Sequence, residues 1–171
     1  MSFRKKIDLI GGLDPDLAVI PEAEYSEKWY GQRGRKPLAQ NQWFGQERNR
    51  GLGLYTFGKW RMSVHESYDP REPGLVPLTM REDDQEFLLL AVAAARPRKQ
   101  TGPGAVFPLL EKLADYATLF AGQSVIVAGD FACTALAGDG AGGYGELRDL
   151  LGGHGLYSCY HAFSREAPGR E

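Results

Sequence analysis

A chain of 171 residues is long enough for one domain with a sizeable core and short for two. Its 43% hydrophobic and 25% charged content is that of an ordinary globular protein, and a net charge of -2 gives no global pull toward nucleic acid. Cys133 and Cys159 are too few for a disulfide framework and lack metal-finger spacing. No apolar run approaches the ~20 residues of a membrane span, and Met1–Lys6 leads into no signal-peptide core, so a cytoplasmic protein is expected.

Along the chain, Phe3, Ile7, Ile10 and Leu13 share a helical stripe that Gly11-Gly12 closes. Asp14-Pro15-Asp16 marks a turn into a short apolar strand over residues 17–21. Pro21 cannot donate to a ladder, so the strand ends there or runs along a sheet edge, with Glu22 at its exit. Residues 23–50 are polar, aromatic and basic without a clear period, which predicts long loops and a short helix. Leu52–Phe57 and Trp60–Val64 read as two strands joined in a hairpin at Gly58-Lys59. Leu75–Met80 and Phe87–Ala93 read as a second pair across the acidic turn Glu82–Glu86.

After a Pro/Gly/basic loop at residues 96–104, Phe107, Leu110, Leu113, Ala114, Ala117, Leu119 and Phe120 give the clearest amphipathic helix. It leads through Gly122 into Ser124–Asp130, whose apolar residues on both sides predict a strand buried on both faces. Residues 138–145 are glycine-rich, Glu146–Leu151 reads as a short helix and Gly155–Tyr160 as a final short strand. Strand pairs segregated from helices argue for an α+β fold rather than a doubly wound parallel sheet.

Gly129 allows a sharp turn as the chain leaves its strand, which puts the Asp130 carboxylate at the rim of the core. Taken alone, Asp130 reads first as a turn residue, and Glu22 as a solvated loop residue beside Glu24 and Glu27. Taken together, two strand-end carboxylates from distant parts of the chain suit one hard divalent cation. Mg²⁺ takes one or two protein carboxylates and fills its other positions with water and substrate phosphate. A second candidate is Lys28–Lys36, where Trp29, Arg33, Arg35 and Lys36 combine basic charge with stacking surface suited to a nucleic-acid backbone; a solvated loop is the plainer reading. Arg96-Pro97-Arg98-Lys99 would extend that patch. Gly138–Gly143 lacks the Lys-Ser/Thr ending of a nucleotide loop and reads as a flexible connection. His65, His154 and His161 have no paired metal spacing, and Ser63 and Ser124 lie in no nucleophile elbow.

Ile20-Pro21-Glu22, Gly51-Leu52-Gly53-Leu54 and Val125-Ile126-Val127-Ala128-Gly129-Asp130-Phe131 together resemble the endonuclease/exonuclease/phosphatase family, and Gly155–Phe163 resembles the late part of bacterial members. The resemblance implies a four-layer α/β/β/α sandwich of two mainly antiparallel sheets, and hydrolysis of phosphate esters with Mg²⁺ or Mn²⁺. It implies that Glu22 is the metal-binding Glu and Asp130 the Asp of the Gly-Asp-Phe-Asn motif. It also implies departures. Ala132 stands where that motif has Asn, the family's first strand with its active-site Asn does not precede the first helix, and the chain reaches Glu171 before the closing Asp and Asp-His. No residue matches the family's active-site Tyr securely. The expectation is a single, incomplete domain over residues 1–171, a fragment or a degenerate copy with little or no activity alone. The alternative is a noncatalytic scaffold that binds nucleic acid or a protein partner. A phosphate-ester substrate, nucleic acid among the candidates, and no membrane partner complete the expectation.

Overall fold

Period-two alternation in β3 (Arg50–Phe57) organises the first of two sheets. Leu52 and Leu54 face one side, and Tyr55 and Phe57 the other. The computed structural model describes residues 9–25, 38–48, 50–94, 107–133 and 143–166. Within these, β3 lies at the centre of a three-stranded antiparallel sheet between β1 (Leu17–Ala23) and β2 (Leu38–Glu47). A four-stranded sheet follows in the order β4 (Arg61–Val64), β5 (Leu75–Glu82), β6 (Gln85–Ala93), β7 (Val125–Asp130), antiparallel except for the parallel β6–β7 pair.

The two sheets share one core. Leu52 and Leu54 pack with Met62, Val76, Leu78, Met80, Leu89 and Ala91, and Leu17, Val19 and Ala128 border the same cluster. Each leucine buried there contributes about 1.5–3 kcal/mol. The other face of the first sheet buries Tyr55 and Phe57 with Ala23, against Ile10 from the helical residues 9–12. Burial pushes the Tyr55 phenol up to about 12.

Four sequence expectations change. Gly58-Lys59 is not a hairpin: β3 already has a neighbour on each side, and β4 pairs with β5. Gly58, at φ +67, instead carries the chain from one sheet to the other, so that Leu54 and Met62 meet in the shared core. Residues 38–47, expected as loop, form β2. Gln40-Asn41-Gln42 hides this strand in the sequence because it is an edge, and its register breaks twice. Gln40 Oε1 accepts from the Met62 N–H at 2.6 Å, so a polar side chain there ties β2 to β4. β7 is an edge strand with Ile126 46% exposed, not a strand buried on both faces. Finally, the segment around Tyr160 is helical: α3 (Cys159–Ser164) starts where the Ser158 Oγ accepts from the His161 N–H, a cap the strand pattern does not reveal.

The described residues of Met1–Ala93 and Ser124–Asp130, which contain both sheets, form one compact unit. Those of Ala94–Gln123 and Phe131–Glu171 form a second. In the second, α1 (Phe107–Ala117) buries Leu109, Leu113 and Ala117 at helical spacing and runs into a 3₁₀ turn, Thr118–Phe120. It packs with α2 (Tyr144–Gly153), where Leu147 is buried and the His154 ring meets Phe120 edge-on at 5.7 Å. No described helix is long and apolar enough to cross a membrane. The architecture is α+β with two mainly antiparallel sheets.

Candidate functional site

β1 does not stop at Pro21. It passes through a bulge in which the register with β3 moves from Ile20↔Gly53 to Ala23↔Gly51. A proline fits there because a bulge has no use for its missing N–H. Glu22 takes the unusual backbone of this bulge, φ +56. For a residue with a Cβ that conformation costs about 1–2 kcal/mol. The close approach of the strands also explains the glycines opposite. A Cβ on Gly51 would lie 2.4 Å from the Trp43 ring, and one on Gly53 would lie 2.9 Å from the Ala23 Cβ.

The Glu22 carboxylate reaches solvent, 64% exposed, and its Oε1 accepts from Arg50 Nη2 at 2.6 Å. Around it, Trp43 Nε1 donates to the Ala23 carbonyl at 3.0 Å, and the Tyr25 N–H donates to the Arg48 carbonyl at 2.8 Å. The Tyr25 ring meets Trp43 edge-on at 5.5 Å, and the Arg48 guanidinium carbon lies 5.8 Å from the Tyr25 ring centre. The sequence reading missed Arg50, Arg48 and Tyr25. The signal available was the pair of cations Arg48 and Arg50, and the place of Arg50 beside Glu22 follows only from the β1–β3 register.

Asp130 ends β7 opposite Ala93 and is exposed. Here the unusual backbone belongs to the residue before it. Gly129 has φ +137, and a Cβ at that position would stand 1.9 Å from the Val92 carbonyl oxygen. Only glycine allows β7 to pair with β6 and deliver the following carboxylate. β1 and β7 adjoin, with Leu17, Val19 and Ala128 set against one core cluster, so both carboxylates leave neighbouring strands. Beyond Asp130, Ala132 also has a positive φ, +51, a conformation for which Asn is better suited than Ala.

As a donor set, two exposed carboxylates match what Mg²⁺ or Mn²⁺ asks of a protein. Among the described residues no group of three or more His, Cys, Asp or Glu side chains could hold a metal. The histidines serve other contacts: His65 Nδ1 lies 2.9 Å from Ser67 Oγ, and His161 Nδ1 lies 2.7 Å from Ser158 Oγ. Trp29, Arg33, Arg35 and Lys36 lie outside the described residues, as do Arg96, Arg98 and Lys99.

Comparison with solved structures identifies the fold. The endonuclease domain of TRAS1, a telomere-specific non-LTR retrotransposon, superposes on 90% of this chain with a TM-score of 0.55 at 18% identity. The chain spans 65% of that chain's length. The protein therefore has a DNase I-like fold, the fold implied by the resemblance of its short motifs. No family profile and no curated protein sequence matches it.

Proposed function

We propose that this chain is a divalent-cation-dependent phosphoesterase domain of the nuclease type, with nucleic acid as its substrate class. The observation that supports it best is the placement of Glu22 and Asp130 within a DNase I-like fold. Asp130 ends β7, Glu22 lies in the bulge one residue before the end of β1, the two strands adjoin, and a positive φ falls on Glu22 itself and on Gly129 beside Asp130. Observed strain at an exposed carboxylate is a reason to suspect function. The TRAS1 domain is an endonuclease domain, which supports nucleic acid over a small phosphate ester.

In this reading Glu22 holds the cation and Asp130 shares it. A bound Mg²⁺ or Mn²⁺ supplies charge neutralisation at the phosphate and stabilises the leaving oxygen. Asp130 accepts a hydrogen bond from the attacking water and so fixes its line of approach. With Ala132 in place of the motif's Asn, one polar contact to the phosphate is missing, and removing one such donor typically lowers turnover by about 10²–10³. Activity of the chain alone is accordingly expected to be slow. The same substitution favours the second reading, a noncatalytic scaffold that keeps the fold for binding.

Nicking of supercoiled plasmid with Mn²⁺ separates the two. The enzyme reading expects slow nicking that Glu22→Gln and Asp130→Asn each reduce by at least about 10²-fold. Nicking of equal rate in the wild type and both variants would assign it to a contaminant and leave the scaffold.

A further inference from the structure

We propose that Arg50 is a built-in counter-cation of the metal centre: its guanidinium occupies Glu22 and must be displaced before a divalent ion can load. This rests on the assignment of Glu22 as a metal ligand and adds the residue that sets its threshold. Arg50 is the first residue of β3, paired in register with Glu47 of β2. Its guanidinium nevertheless goes to the other neighbour and donates to Glu22 Oε1 at 2.6 Å. The bulge brings this about, because it puts Pro21 and Glu22 between the register pairs Ile20↔Gly53 and Ala23↔Gly51, one strand residue from Arg50.

The pair is suited to exchange rather than to permanent closure. Both side chains are partly open to solvent, 45% for Arg50 and 64% for Glu22, so an ion can approach without unfolding anything. An exposed ion pair of this kind is weak, which leaves it open to competition from a doubly charged ion. A divalent ion and a guanidinium on one carboxylate repel each other, so loading requires the Arg50 side chain to leave.

Isothermal titration of the full chain with Mn²⁺ tests this through affinity, independently of turnover. Arg50→Ala is expected to bind Mn²⁺ about five- to tenfold tighter than the wild type, from the lost competitor and the lost repulsion. Arg50→Met, which keeps the apolar stem, should do the same and serves if the alanine variant does not fold. Arg50→Lys and Arg48→Ala should stay within about twofold of the wild type. The first keeps the charge, and the second removes a charge that lies over Tyr25 rather than on Glu22. Affinity unchanged or weaker in both Arg50→Ala and Arg50→Met would overturn the proposal, as would equal tightening by Arg48→Ala. If wild type and Glu22→Gln bind Mn²⁺ equally, or neither binds it, the metal assignment itself falls and this inference with it.

Discussion

The two strand ends that present the candidate carboxylates reach the same result by opposite means. At β7 the unusual backbone is assigned to Gly129, which suffers nothing from φ +137, and Asp130 follows in the next position. At β1 the unusual backbone belongs to the candidate residue itself, so Glu22 carries both the carboxylate and the strain, and Arg50 covers it. The difference teaches where each end is vulnerable. The first fails through its fold if the glycine is changed. The second keeps its fold and fails through its chemistry.

The largest expected effect follows at Gly129. Gly129→Ala sets a methyl against the Val92 carbonyl oxygen, at an ideal separation of 1.9 Å, and requires a φ that alanine avoids. Urea unfolding should show a loss of about 3 kcal/mol or more, or no cooperative transition at all. Wild-type stability would mean that β7 pairs with β6 in another register.

The smallest expected effect is on stability at the other end, where the proposed metal binding should nonetheless be lost. Glu22→Gly relieves a positive φ and gives up one exposed ion pair, so urea stability should equal the wild type or exceed it by up to about 1 kcal/mol. Mn²⁺ affinity should fall in the same variant. A large destabilisation would show that Glu22 is a structural residue and would remove the contrast between the two ends.

The same contrast explains what the sequence discloses. Gly129-Asp130 after a β-branched run is a local pattern, and the strand was legible there, although its pairing with β6 continues through Gly129 and Asp130 instead of turning away at the glycine. The paired strands β5 and β6 were equally legible, since Leu75–Met80 and Phe87–Ala93 flank a short acidic turn with Asp83 at φ +49. The bulge at Pro21 was only half legible. Proline announces an edge, and β1 is an edge, but nothing local says that the strand continues and bends Glu22 into a positive φ. β2 was hidden because its pairing is decided by β3, a tertiary neighbour, rather than by its own Gln-rich residues. Gly58-Lys59 misled for the same reason: a tight turn between two apolar runs joins a hairpin or crosses between sheets, and only the occupancy of the β3 edges decides. Arg50 was illegible because its partner lies 28 residues away.

Whether Glu22 and Asp130 share one ion is tested most directly by amide NMR with substoichiometric Mn²⁺. A bound paramagnetic ion broadens the signals nearest to it. The amides of residues 22–23 and 129–130 should fade together, ahead of the rest of the chain, and should recover on chelation. Broadening confined to one strand end, or centred elsewhere on the chain, would contradict a shared metal centre.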